Sequence, residues 1–290
     1  MNAMANHSVE TDRPQAALVG SLRGFAATAA PHVKRLNIMN PSTESVPPLE
    51  DDDWRLHAVA RLAEDWKSPW TGQVAPKGSR LTVSAVLRLT KKKTITIPLP
   101  NATALFLSSA AKSFSAAKAL RDASGFDKSL HSEVSFGADA MVFDYLEHML
   151  SATVLAFTAV EAFVNEVIPE EYVYARQRRS QTILEVTAKE DIERFVPLDE
   201  KLASVLPEVF ACASPKGSRC WQEYQQLKGI RDRIVHMKSN DRKSSGPDVE
   251  TVWKAIVLAP APHRLAKSVI DYFVKAMPSK PGWHKNFPRE

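Results

Sequence analysis

Apolar side chains recur every three or four residues through most of the second half of the chain, which is the period of an amphipathic α-helix. The longest segment of this kind spans residues 141–167, is strongly apolar and is followed by Pro169. Shorter segments with the same period cover residues 198–209, 220–238, 249–257 and 265–277. From about residue 137 onward, the pattern therefore predicts helices only.

A different period governs part of the first half of the chain. Apolar and polar residues alternate over residues 80–89 and again over residues 95–99, with three lysines between them, which predicts a half-buried β-hairpin. Before the hairpin, residues 51–66 begin with three aspartates and carry an apolar residue at every fourth position, which predicts an amphipathic helix. After the hairpin, Asn101 is placed to cap a further helix.

These elements divide the chain into four parts. Residues 1–50 lack a sustained period and end in a polar, proline-rich stretch, which predicts a disordered tail and linker. Residues 51–125 form a small helix, β-hairpin and helix element, residues 126–278 form a helical bundle, and residues 279–290 form a loose basic tail. The predicted fold class is mainly α, with the bundle preceded by the small helix plus β-hairpin element.

Composition argues against several classes of protein. Ten glycines in 290 residues, with no phosphate-loop motif among them, argue against a glycine-rich nucleotide site. Two cysteines, Cys212 and Cys220, cannot form a disulfide framework, and the histidines show no metal-ligand spacing, so we predict no metal and no cofactor. No uninterrupted apolar run forms a membrane span, and we predict a cytoplasmic protein without a membrane partner.

The segment with the most candidate chemistry covers residues 221–236. One core-facing stripe is formed by Trp221, Tyr224, Leu227, Ile230, Ile234 and Met237. Asp232 and His236 stand roughly opposite this stripe, about 40° apart around the helix. Asp232 is therefore predicted to hydrogen-bond the imidazole of His236. Arg231 lies about 140° from His236 and beside Val235, and this apolar residue outside the stripe indicates a second contact with a partner helix or subunit.

The long apolar segment carries a second candidate group. Glu161 stands between apolar neighbours, and Asn165 follows one turn farther along the same face. Burying an isolated carboxylate is costly, so Glu161 is either partly exposed at the surface or paired. In the second interpretation it orients Arg231 or Arg233 at a cleft.

Two of these features together resemble the HEPN domains, which are small all-α bundles found in ribonuclease toxins, antiviral effectors and nucleotide-associated proteins. One feature is the long helix with Ala-Val-Glu-Ala-Phe-Val-Asn at residues 159–165. The other is the family's Arg–polar–x–x–x–His pattern, which here reads Arg231-Asp232-Arg233-Ile234-Val235-His236. The resemblance covers about residues 137–277 and leaves out the hairpin.

The resemblance implies a metal-independent endoribonuclease that acts as a homodimer through an Arg-x4-His motif, in a toxin or antiviral role. Arg231 and His236 would act at a cleft formed by dimerisation, with Asp232 beside them. The implied reaction is attack of a ribose 2′-OH on the adjacent phosphorus. The implied partners are RNA, a second copy, and an antitoxin or regulatory protein.

Charge along the chain agrees with an RNA substrate. Residues 216–243 carry eight basic and three acidic side chains, so this stretch has a net charge of +5, equal to that of the whole chain. Such an excess serves phosphate binding. The predicted RNA-binding residues are Arg233, Lys228 and Lys238, and the predicted supporting residues are Glu161 and Asn165.

The residues alone leave alternatives open. A polar helix face with Arg, Asp, Arg and His is also typical of a solvated helix surface. The first alternative is a non-catalytic HEPN-like module that dimerises and binds a protein or a nucleotide. The second is a purely structural helical protein.

Overall fold

A computed structural model describes residues 53–67, 72–176, 185–244 and 246–287. All of these residues belong to one compact unit. The tail and linker predicted for residues 1–50 lie outside the described residues, as do residues 288–290 at the other end.

The first described elements are short strands. β1 (Val59–Arg61) pairs antiparallel with β4 (Arg80–Thr82), and β2 (Trp66–Lys67) pairs antiparallel with β3 (Val74–Ala75). The helix predicted for residues 51–66 is therefore wrong over its described part. Backbone groups of this segment bond to distant residues instead, as when the Leu62 N–H donates to the Ser79 carbonyl at 3.0 Å.

A longer two-stranded ribbon follows. β5 (Ser84–Thr90) and β6 (Lys93–Pro98) pair antiparallel, which confirms the predicted hairpin. The predicted half-burial is wrong, because every residue of the two strands is exposed except Ala85 and Ile97, which are partly buried. Neither face of the ribbon is buried by the rest of the described chain.

The centre of the bundle is a pair of long antiparallel helices, α1 (Ala102–Ser124) and α2 (Asp139–Val167). Asn101 caps α1 as predicted, because its side chain accepts the Ala104 N–H at 2.9 Å. The long helix predicted at residues 141–167 is likewise confirmed. Small side chains without solvent exposure let the two helices approach closely: Ala104, Ala110, Ala117, Ala152, Ala156 and Ala159.

The predicted boundary after residue 125 needs correction. Leu107 and two alanines of α1 share one hydrophobic core with α2 and with a later helix, α8 (Pro262–Val274). α1 is therefore part of the bundle, and the strands before it form the smaller element.

Between α2 and the next long helix, the chain forms a hairpin and a series of short helices. β7 (Val173–Arg176) pairs antiparallel with β8 (Glu185–Ala188), so the prediction of helices only beyond residue 137 is wrong here. After α3 (Lys189–Phe195), three helical pieces run without a break and confirm the helix predicted at residues 198–209. These are α4 (Leu198–Glu200), a π-helical stretch (Lys201–Val205) and α5 (Leu206–Val209).

The remaining helices complete a mainly helical protein. α6 (Arg219–Val235) packs against α2 and α8, and α7 (Val252–Val257) joins α6 to α8. They confirm the three remaining predicted helices, with ends that differ by a few residues. The last element is α9 (Gly282–Asn286). Because Trp283 is 4% exposed and Phe287 3%, the loose tail predicted for residues 279–290 is wrong over its described part.

α2 has the length and composition of a membrane-spanning helix, and among the described helices only α2 does. Its inner face is buried in the core that it shares with α1 and α8. An apolar helix in this position is typical of the core of a soluble protein.

A buried histidine lies where the C-terminal segment meets the bundle. The ring of His263 packs against Phe114, with centroids 5.4 Å apart, and against Phe287 at 6.3 Å. Its Nδ1 atom has no hydrogen-bond partner within the described part of the chain. Burial, with a smaller contribution from the charge of Arg264, lowers the pKa of His263 from 6.5 to about 4.

We predict that mild acid destabilises the protein through His263. As the pH falls through the window from 6.5 to about 4, the unfolded chain binds a proton on this ring and the folded chain does not. Between pH 7 and pH 5 the wild-type protein should lose about 2 kcal/mol more unfolding free energy than His263→Phe. Urea unfolding at both pH values measures this difference, and equal losses in the two proteins would contradict it.

Candidate functional site at the end of helix α6

Local sequence explains where α6 begins and which face it buries. Ser218 caps the helix, because its hydroxyl accepts the Trp221 N–H at 3.3 Å. Tyr224, Leu227 and Ile230 are buried, so the middle of the predicted stripe does face the core. The stripe fails at its end, because Met237 lies beyond the helix and is 37% exposed.

Arg231 is held against α2. The centre of its guanidinium lies 4.5 Å from the centroid of the Phe157 ring, a cation–π contact. Its Nη1 atom donates to Oδ1 of Asp232 at 3.0 Å, and about a third of the side chain, 32%, stays exposed. The position of the cation is thus fixed while part of it remains open to solvent.

Asp232 does not orient His236 as predicted. The helix ends at Val235, and His236 leaves the helical path with φ −117° and ψ 64°. Its backbone N–H still donates to the Asp232 carbonyl at 2.9 Å, but the Asp232 carboxylate bonds to Arg231. The ring of His236 is exposed and makes no hydrogen bond within the described part of the chain.

Arg233, which was predicted to bind RNA, has a partner within the chain. Its Nη2 atom donates to Oδ1 of Asp241 at 2.7 Å, and the Asp241 side chain has no solvent exposure. Asp241 also accepts the backbone N–H groups of Lys238, at 2.6 Å, and Val252, at 2.8 Å. Arg233 therefore fastens the end of α6 to the start of α7, and it does not pair with Glu161.

The ionisation of Asp241 follows from these bonds. Burial opposes the charged form, but the Val252 and Lys238 N–H groups and the charge of Arg233 outweigh it, so the pKa of Asp241 lies below its ordinary value. Asp241 is thus buried and ionised, and it joins the Arg233 guanidinium to the backbone N–H groups of Lys238 and Val252. The Lys238 side chain is exposed beside it and remains a candidate for phosphate contact.

Lys228 belongs to a separate cluster one to two turns before Arg231. Its Nζ atom donates to Oδ2 of Asp199 at 2.6 Å, and the buried hydroxyl of Tyr224 donates to Oδ1 of the same carboxylate. Burial, that bond and the negative charges of Asp199, Glu161 and Asp232 raise the pKa of Tyr224 far above its ordinary value. The positive charge of Lys228 is therefore largely neutralised within the protein.

Asn165 anchors a buried lysine. The side-chain oxygen of Asn165 accepts from Lys201 Nζ at 2.9 Å, and the Glu193 carbonyl accepts from the same amine at 2.8 Å. Burial lowers the pKa of Lys201, and the charges of Glu161 and Glu193 oppose that shift. Glu161 thus acts on Lys201 and Tyr224 through its charge.

The predicted site residues therefore do not form one cluster. Phe157 contacts both Tyr224 and Arg231, and farther along, Ile234 packs beside Tyr145 and Met149, so α6 runs antiparallel to α2. Glu161 and Asn165 lie toward the C-terminal end of α2, and His236 lies toward its N-terminal half. Arg231 with Asp232 occupies the position between them, and Arg233 faces Asp241.

Metal ligation is not a feature of the described residues. Within residues 53–67, 72–176, 185–244 and 246–287, no group of three or more His, Cys, Asp or Glu side chains could hold a metal ion. Cys212 and Cys220 are free thiols. No protein-family model, curated protein or solved structure matches the chain, so its function has to be inferred from its own geometry.

We predict that Asp241→Asn destabilises the protein far more than Asp232→Asn. Loss of the buried charge at residue 241 leaves Arg233 without its counter-ion, whereas the Arg231–Asp232 pair is substantially exposed and contributes little. Thermal unfolding should show a melting temperature several degrees lower for the first variant and nearly unchanged for the second. A similar fall in both variants would disprove the role assigned to Asp241.

Proposed function

We propose that this protein is a metal-independent endoribonuclease, similar to the HEPN domains, in which Arg231 and His236 form the reacting pair. The observation that carries the proposal is the end of α6. There the imidazole of His236 stands in solvent with no hydrogen-bond partner in the described part of the chain, and Arg231 is held on Phe157 in the last turns of the helix before it. The mainly helical fold agrees with the proposal.

The proposed chemistry needs no cofactor. The ribose 2′-oxygen forms a bond to the adjacent phosphorus, the bond from phosphorus to the 5′-oxygen breaks, and a cyclic phosphate remains. The exposed imidazole of His236 can accept the 2′-OH proton and return one to the leaving oxygen. The planar guanidinium of Arg231 suits the charge that develops on the phosphoryl oxygens.

A homodimer would bring two such pairs together. Val235 is 55% exposed, so the second contact expected for this residue does not come from the described part of its own chain. Val154, on the α2 turn next to Phe157, is 38% exposed. A second copy seated on these residues would cover apolar surface and place its own Arg231 and His236 at the shared cleft.

The cellular setting is part of the proposal. We place the protein in the cytoplasm as a toxin or antiviral effector, with an antitoxin or a regulatory protein as its partner. Free Cys212 and Cys220 support a reducing compartment.

One observation favours a second candidate, a non-catalytic HEPN-like module that binds a protein or a nucleotide. Asp232 bonds to Arg231 and leaves the imidazole of His236 without an orienting carboxylate in the described chain. A binding module needs fixed charges of this kind and no proton transfer.

We predict that Arg231→Lys and His236→Ala each remove most cleavage of RNA by the purified protein in EDTA. Loss of the planar guanidinium of Arg231 should lower the rate of RNA cleavage at least about 100-fold, while RNA binding persists. The matched control is Arg242→Lys, which makes the same exchange at an exposed position. Cleavage products should end in a 2′,3′-cyclic phosphate.

Two outcomes would reject the catalytic proposal. Full activity in both variants would remove Arg231 and His236 from the reaction. A wild-type protein that binds RNA or nucleotide and never cleaves would favour the non-catalytic module.

We also predict a dimer that depends on Val235. Light scattering should give a mass near twice 32.1 kDa for the wild-type protein and near 32.1 kDa for Val235→Asp. Because Val235 is exposed in one copy, the melting of the monomeric fold should be little changed. Leu130→Asp changes an exposed apolar residue elsewhere and should leave the dimer intact. A wild-type monomer at micromolar concentration would rule out the shared cleft.

A further inference from the structure

The β5–β6 ribbon, Ser84–Pro98, carries a second group of positive charges far from α6 in sequence. Four basic residues lie on it, Arg88, Lys91, Lys92 and Lys93, with no acidic residue among them. The surrounding sequence is also free of acids, because none stands between Asp65 and Asp122, while ten lysines and arginines do. The ribbon is therefore the most one-sided concentration of charge in the described chain.

These four cations are available to a ligand. Each of the four residues is exposed, and within the described residues none of the four side chains has an ion pair or hydrogen bond. The basic residues of α6 differ in this respect, because Lys228, Arg231 and Arg233 are paired with carboxylates of the chain. Unpaired cations keep their full attraction for an anionic partner.

The two faces of the ribbon differ in chemistry. Opposed pairs on one face are apolar, Ala85 with Ile97 and Leu87 with Ile95. The pairs on the other face include hydroxyl groups and a cation, Val86 with Thr96 and Arg88 with Thr94. Leu87 is 45% exposed and Ile95 42%, so the apolar face is uncovered. Because a two-stranded ribbon alone is marginally stable, an uncovered apolar face of this kind indicates a partner.

The base of the ribbon is fixed to the bundle. The Leu99 N–H donates to the Val83 carbonyl at 2.8 Å, and the Leu99 carbonyl accepts the His57 N–H at 2.9 Å. Glu166, near the end of α2, accepts from the Asn101 side chain and, at 3.1 Å, from the Thr103 hydroxyl. The ribbon is thus an arm that is anchored at its base. The base lies beside Glu166, which is about 14 Å from Phe157 along the axis of α2.

We propose that this ribbon is the arm that binds single-stranded RNA, with its cations on the phosphates and its apolar face against unstacked bases. The proposal rests on the proposed function, because it names the part of the protein that holds that enzyme's substrate. The threonine hydroxyls of the opposite face add donors for phosphate oxygens.

A single strand fits the ribbon better than the alternatives. The major groove of an RNA duplex is too deep and narrow for protein side chains to reach the bases, whereas a single strand exposes both its phosphates and its bases. Insertion into a membrane is disfavoured, because Lys91, Lys92 and Lys93 at the tip would enter the hydrocarbon first.

The test uses the full chain and an RNA that cannot be cleaved. A labelled 2′-O-methyl oligouridine lacks the attacking hydroxyl, and its binding is followed by fluorescence anisotropy over a range of salt concentrations. The ribbon variant replaces Arg88, Lys91, Lys92 and Lys93 with serine. The matched control removes the same charge from exposed positions off the ribbon, Lys77, Lys128, Lys275 and Lys280.

The ribbon variant should bind at least about 10-fold more weakly at low salt, and the slope of log affinity against log salt should shrink by about three. The control should change both quantities far less. Leu87→Ser should weaken binding and leave the salt slope unchanged. Circular dichroism melting should match the wild type in all cases, because the replaced side chains are exposed.

If the ribbon variant and the control variant lost equal affinity for the RNA, the proposal of an RNA-binding arm would be wrong, because the loss of net charge alone would then explain both results. The RNA-binding arm would also be wrong if the ribbon variant bound RNA as tightly as the wild-type protein. The same holds if the ribbon variant lost binding to phosphatidylserine vesicles and still bound RNA. Equal affinity for duplex RNA would overturn the single-strand assignment. The proposed cleavage can fail separately, since a protein that binds this probe through the ribbon and cleaves no RNA refutes the enzyme and keeps the arm.

Discussion

The burial of α2 is the constraint on which the rest of the structure depends. A 29-residue helix with so much apolar surface has to be covered along most of its length, and α1, α6 and α8 all pack against it. Alanines at the α1–α2 contact keep the two backbones close. Phe157 of α2 contacts both Tyr224 and Arg231. The helix that organises the core therefore also positions the candidate site.

Buried charge determines how α6 ends. Asp241 is without solvent exposure and accepts the Lys238 N–H, the Val252 N–H and the Arg233 guanidinium. Because the backbone at Lys238 is drawn toward this carboxylate, the chain turns off the helix axis soon after Val235. His236 is left at the turn with an exposed ring. A buried, ionised residue thereby helps to fix the position of the proposed reacting imidazole.

Sequence predicted the elements whose hydrogen bonds are local. The period of residues 141–167 and the alternation around the three lysines required no distant partner, and both elements formed. Residues 51–66 failed because their backbone pairs with Ser79 and Leu99, which periodicity cannot show. Asp241 stands in a polar, highly charged stretch and gives no signal of burial. Lys201 did give a signal of burial, because it is a lysine inside the apolar pattern of residues 198–209. HEPN similarity, the Arg231–His236 pair and the dimer remain predictions.

The excess of positive charge along α6 does not show which of its cations are paired. Residues 216–243 hold an excess of five positive charges, yet Lys228, Arg231 and Arg233 are paired with Asp199, Asp232 and Asp241 in the described structure. The charge of a paired cation is partly offset by its own carboxylate when phosphate approaches, whereas an exposed, unpaired cation gives up only solvent and counterions. Within the described residues, the four cations of the ribbon are unpaired, whereas these three cations of α6 are paired. In the proposed enzyme, binding and chemistry would therefore be divided between them: the ribbon would hold the strand and the end of α6 would act on it.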